Sequence, residues 1–218
     1  MLRTTLNRAL MHISAKPLVW LLCLAPLASL VLQLLQDNLG LNPAEALIRS
    51  TGDWALRALC LALAVTPLRK LSGLSAFSRM RRLLGLFAFF YTSIHAISYA
   101  LLDMDWHWAS IWTDVQDRPF IFMGMLALIL LLLLTLTSPK AVLKILGAAR
   151  WQRLHRTVHL AAWLALLHFY WIRLGKNNVS EVVLYAVIFL ILLLLRIYYY
   201  LNKRRATGIL HKKIHPDL

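Results

Sequence analysis

Four of the eight histidines in this 218-residue chain, His95, His155, His159 and His168, lie in or at the edge of long apolar runs. An ionisable side chain within a membrane helix is costly and usually faces the bundle interior or a cavity. A single neutral imidazole can be explained as a hydrogen bond between helices, but several on two segments are harder to explain that way. The other four, His12, His107, His211 and His215, fall in loops or tails, where solvent or headgroup contact accounts for them.

Depth sorts the four. A helix rising from Leu83 at about 1.5 Å per residue carries His95 roughly 18 Å into the membrane. One rising from His155 carries His168 roughly 20 Å in. Two imidazoles at one depth on neighbouring helices can clamp a planar iron porphyrin from both faces, and axial ligation is one of the protein's levers on haem chemistry. His155 lies near the basic boundary beside Arg153 and Arg156, and His159 shares its helix face to within about 40°. His168 is turned roughly 140° from His155, so this spacing does not produce two stacked haems on one stripe. The run carrying His95 has Arg81 and Arg82 where a second histidine would serve an inner haem, and that haem would need a ligand from elsewhere. A proton relay competes with this reading, but proton-coupled transporters often bury Asp or Glu, and no acid lies deep in these runs. Zinc would need more than two donors. Cys23 and Cys60 form no CxxC pair and read as small apolar packing residues.

The elements that must carry these side chains are membrane helices. The chain is 60% hydrophobic with a net charge of +15 and a mean hydropathy of +0.66, too apolar for an ordinary soluble domain. Its basic residues sit between apolar runs rather than clustering on a polar fold, which excludes nucleic acid as the partner. Six runs approach the ~20 residues needed to cross the hydrocarbon core: Pro17–Leu35, Asp53–Leu68 (short unless Ala46–Ser50 adds an interfacial turn), Leu83–Leu102, Pro119–Thr137, His155–Arg173 and Glu181–Leu201. The first is expected to be a retained helix, because a polar Gln-Asp-Asn segment follows it rather than a small-residue cleavage site.

Loop charge orients the runs. One side holds Arg3, Arg8 and Lys16, then Arg69, Lys70, Arg79, Arg81 and Arg82, then Lys140, Lys144, Arg150, Arg153 and Arg156. The tail adds Arg196, Lys203, Arg204, Arg205, Lys212 and Lys213. The other side collects Asp37, Glu45, Asp53, Asp103, Asp105, Asp114, Asp117 and Glu181. The expected fold is an all-α polytopic bundle of six transmembrane helices with haem between them and both termini cytoplasmic. A cytoplasmic segment 1–16 precedes the haem-binding domain 17–201, and a basic tail 202–218 follows it. Trp106, Trp108 and Trp112 in the longest outer loop suit an interfacial aromatic belt. Arg57 could neutralise a haem propionate or pair with Asp53 one turn away.

Several segments together resemble a known family: Val65-Thr66-Pro67-Leu68, Arg81 to Leu86, His95 to Leu102, Asp117-Arg118-Pro119-Phe120, and Leu146–Trp171 with Arg150-Trp151-Gln152, Leu154-His155 and His168-Phe169-Tyr170-Trp171. In this order they are similar to the MsrQ (YedZ) family of haem-binding membrane subunits, within the ferric-reductase-like transmembrane superfamily. The resemblance spans about residues 45–200. It implies haem b, with His95, His155 and His168 matching the family's helix histidines. His159 is not part of that pattern and stands as a further candidate. It also implies FMN, for which the chain shows no phosphate-binding fingerprint. The implied partner is a periplasmic molybdenum-cofactor methionine sulfoxide reductase of the MsrP type, which repairs oxidised envelope proteins. Electrons would come from the quinone pool or a cytosolic flavin reductase, and the chain would reside in the bacterial inner membrane. A stand-alone ferric-reductase-like enzyme, and a non-redox transporter or assembly factor, are the alternatives.

Overall fold

In the computed structural model residues 15–175 and 178–214 are described, and among them every regular element is a helix. The expected segment 1–16 and the end of the tail lie largely outside this range, as do His12 and His215. The helices are α1 (Ala15–Leu35), α2 (Pro43–Ser72), α3 (Phe77–Leu102), α4 (Trp108–Asp117), α5 (Pro119–Leu136), α6 (Lys140–Leu146), α7 (Ala148–Arg156), α8 (Val158–Leu174) and α9 (Ser180–Ile214).

Local chemistry sets their ends. The Asn42 side chain accepts the Glu45 backbone N–H at 3.1 Å and Pro43 opens α2, a paired start signal. The helix stops at Gly73, whose φ of +68° is the left-handed cap a glycine adopts at no steric cost. It therefore begins well before the expected Asp53, because the capped turns Pro43–Gly52 are helical although too polar to read as membrane. Pro119 likewise starts α5 after an extended Arg118. The expected outer loop contains α4, with Ile111, Asp114 and Val115 buried on one face.

The expected run His155–Arg173 is not one helix. It breaks at Thr157, whose N–H and Oγ1 both donate to the Leu154 carbonyl, at 2.9 and 2.7 Å. A threonine side chain bonding back to the backbone in this way competes with the helix ladder. His155 thus closes α7, whereas His159 and His168 belong to α8.

Among the described residues, four helices are long and apolar enough to cross a membrane: α1 from Lys16, α3, α5, and α9 as far as Asn202. They match the first, third, fourth and sixth expected runs. The other two runs fall on α2, 30 residues long with Glu45, Arg49, Asp53 and Arg57 in its first half, and on α8, which has 17 residues. The closest packing is between α2 and α3 and between α5 and α8, and contacts of α2 with α9 and of α3 with α5 join these two pairs. Ala88 and Ala161 are completely buried in this core, as expected where small residues let membrane helices approach. Leu18, Leu21, Leu136, Val183, Leu184 and Leu194 point outward and are exposed, a surface suited to lipid rather than water.

Candidate functional site: facing imidazoles and a basic cleft

His95 on α3 and His168 on α8 meet in the bundle with ring centroids 6.0 Å apart and planes at 78°. Each ring is held at its back. His95 Nδ1 lies 2.8 Å from the Ile48 carbonyl on α2, and His168 Nδ1 lies 2.6 Å from the Phe120 carbonyl on α5. A carbonyl can only accept, so Nδ1 carries the proton in both rings and donates it. That leaves each Nε2 with a free lone pair on a neutral imidazole, the form that ligates metal. Metal–imidazole bonds of about 2 Å on opposite sides of one iron ask for centroids roughly 6 Å apart. The pair fits a six-coordinate haem by its donor set, its tautomers and its separation.

His155 stands elsewhere. Its ring stacks on Trp151 with centroids 3.9 Å apart at 22°, and Nε2 lies 3.2 Å from Thr137 Oγ1. Trp151 Nε1 donates to the Thr137 carbonyl at 2.8 Å, which pins this stack to the end of α5. His155 lines a cleft of about 410 Å³ that also takes in Arg69, Arg81, Arg82 and Arg196 and, among its described residues, no acid. Arg196 comes from α9. Its Nη2 donates to the Leu63 carbonyl at 2.8 Å, and Nη1 lies 2.9 Å from His159 Nε2. Pro67 lacks the N–H that would otherwise take the Leu63 carbonyl, so the arginine fills a gap a proline made. A guanidinium only donates, so His159 accepts through Nε2 and that nitrogen is occupied. Arg196 Nε is buried without a partner.

Beyond the histidine pair, Tyr99 lies one turn after His95 and donates to Asp114 Oδ2 at 2.6 Å, while Arg118 Nε reaches Asp114 Oδ1 at 2.8 Å. This buried carboxylate ties α4 to α3. Arg57 forms a loose 4.0 Å pair with Asp53 and stacks over Trp54.

Comparison with known proteins adds to this geometry. The family described as ferric reductase like transmembrane component matches residues 51–169. The chain is 50% identical over 196 residues to a protein of Polaromonas naphthalenivorans named protein-methionine-sulfoxide reductase heme-binding subunit MsrQ, covering 90% of each chain. It belongs to the MsrQ family. Relatives of the same name from Ralstonia nicotianae, at 44% identity over 88% of each chain, and Xanthomonas euvesicatoria, at 41% over 90% of this chain and 91% of that one, agree.

The match to the ferric reductase like transmembrane component, over residues 51–169, takes in all four candidate histidines. The structure brings His95 and His168 together, sets His155 in the basic cleft and engages His159 with Arg196. Sequence reasoning missed Gly52, Gly124 and the Ile48 and Phe120 carbonyls. Backbone acceptors leave no trace in residue identity, and glycine is common in membrane helices.

Proposed function

We propose that this chain is the haem-binding, electron-transferring membrane subunit of a methionine sulfoxide reductase system. The observation that carries the reading is the His95–His168 pair, two neutral imidazoles whose Nε2 atoms are left free by backbone hydrogen bonds on their other nitrogens. These residues would hold haem b, and the group would supply reversible one-electron chemistry when bound. The protein's own part is to fix the two rings, exclude water with the Leu59, Phe87 and Leu166 core, and place the site between two aqueous faces.

The names of the MsrQ relatives support a methionine sulfoxide reductase as partner. That it is a periplasmic molybdenum enzyme of the MsrP type, serving repair of envelope proteins, rests on the family resemblance. So does a donor in the quinone pool or a cytosolic flavin reductase. The cleft around His155 is our candidate for the donor-side cofactor. Its four arginines, without an acid to pair them, suit the carboxylates of a second haem or the phosphate of FMN. Six spans across an inner membrane, with both termini cytoplasmic and residues 17–201 as the haem-binding unit, complete the proposal.

Absorption spectroscopy of the purified full chain tests it. The expected result is a Soret band with a low-spin reduced-minus-oxidised difference spectrum, and oxidation of the reduced protein by a methionine sulfoxide reductase. A colourless preparation that stays colourless after haem is added would overturn it.

A further inference from the structure

The two ligand histidines sit in matching sockets. The Ile48 carbonyl lies 47 residues before His95, and the Phe120 carbonyl 48 residues before His168. One helical turn after each carbonyl stands a glycine, Gly52 and Gly124. A Cβ on Gly52 would lie 3.1 Å from both Nδ1 and Cε1 of His95, and one on Gly124 would lie 2.9 Å from Nδ1 and 3.1 Å from Cε1 of His168. Each socket is therefore a helix face stripped of its side chain, against which the imidazole lies.

The reason is geometric. In an α-helix the carbonyl of residue i−4 already accepts the N–H of residue i, so the histidine must reach the second lone pair of that carbonyl. To do so it must pass directly over the Cα of residue i, where any Cβ would stand. The Thr51 hydroxyl, with one proton to give, lies closer to the Leu47 carbonyl at 2.7 Å than to the Ile48 carbonyl at 3.0 Å, which leaves the second lone pair at Ile48 to His95. The same carbonyl-plus-glycine arrangement occurs on both of the closely packed helix pairs, α2 with α3 and α5 with α8.

We infer that Gly52 and Gly124 are positioning residues for the haem iron: they let each Nδ1–H bond the carbonyl one turn earlier and so aim each Nε2 at the opposite ring. This rests on the reading of His95 and His168 as the axial ligands. The hydrogen bond also sets the ligand's electronics. Donating Nδ1–H to a carbonyl makes the imidazole a stronger base, which favours the oxidised iron. Losing it moves the haem potential upward.

The contacts predict an order. Gly124→Ala, with the closer approach, disturbs its ligand more than Gly52→Ala. Gly175→Ala, at a helix end with nothing within 4 Å of the added Cβ, changes neither. In holoprotein, both socket variants are expected to lose haem affinity by roughly tenfold or more, to shift the haem potential positive and to alter the low-spin EPR signature, Gly124→Ala further than Gly52→Ala. Socket variants with wild-type potential, EPR signature and haem retention would overturn the inference. A stability loss with an unchanged haem signature would also overturn it, by reducing the glycines to packing. If a variant fails to accumulate, pulsed EPR of the oxidised wild-type protein decides. The quadrupole coupling of the remote ring nitrogens must show a strong N–H hydrogen bond, and a coupling typical of an unbonded imidazole sinks the idea. His95→Ala and His168→Ala test the reading beneath it. If those variants keep their haem, the ligand assignment fails; if they lose it while the glycine variants are normal, only the socket inference fails.

Discussion

At the residue scale, the four membrane histidines divide by what their ring nitrogens already do. His95 and His168 spend Nδ1 on carbonyls and keep Nε2, whereas His159 spends Nε2 on Arg196. Either His95→Ala or His168→Ala is therefore expected to abolish the low-spin reduced-minus-oxidised spectrum. His159→Ala is expected to keep that spectrum while lowering stability by about 1–3 kcal/mol, the usual cost of stranding a buried donor. His159→Gln, which restores an acceptor, should recover most of that loss in thermal unfolding. Haem loss in His159→Ala comparable to that in His168→Ala would show that the faces of α8 have been assigned wrongly. The pairing of His95 with His168 was legible because depth depends only on rise per residue, counted for both histidines from the basic side that loop charge marks. The Arg196–His159 contact was not, since it depends on which carbonyl Pro67 leaves open and on how α9 is rotated.

At the element scale, helix identity was readable and helix ends were less so. Apolar length marked α1, α3, α5 and α9, but the break at Thr157 comes from one hydroxyl choosing the Leu154 carbonyl, which no periodicity reveals. The helix α4 was hidden for another reason: ten residues with only three buried read as loop. Its hold on the bundle runs through Asp114, which accepts from Tyr99 and pairs with Arg118. A buried carboxylate with two donors is costly to strip of one of them. Tyr99→Phe is expected to release α4 locally, raising amide exchange over residues 108–117 by about tenfold, equivalent to ~1.4 kcal/mol. Exchange in α3 and α5, and haem content, should stay as in the wild type. Unchanged exchange in α4 would mean that Ile111 and Val115 alone hold it.

At the scale of the whole molecule, helix length bears on how α2 and α8 cross the membrane with the four plainly apolar helices. Length argues differently for each. At 30 residues, α2 spans about 45 Å, more than a ~30 Å hydrocarbon core requires, so its charged first turns can stand in the headgroups. At 17 residues, α8 spans only about 26 Å. A shortfall of a few ångströms costs only fractions of a kcal/mol per ångström and is met by local thinning or by snorkelling of flanking residues. Arg173, in its last turn and bonded to Glu181 at the start of α9, is placed to do this. The alternative, α8 lying outside, would expose an apolar helix to water and pull His168 from His95. Single cysteines in a Cys23→Ala, Cys60→Ala background separate the two arrangements with a membrane-impermeant maleimide on intact cells. Asn38→Cys and Asn178→Cys are expected to label at once, and Leu71→Cys and Lys140→Cys only after permeabilisation. Equal labelling at Lys140 and Asn178 would put both ends of α8 on one side, and six crossings would then be untenable.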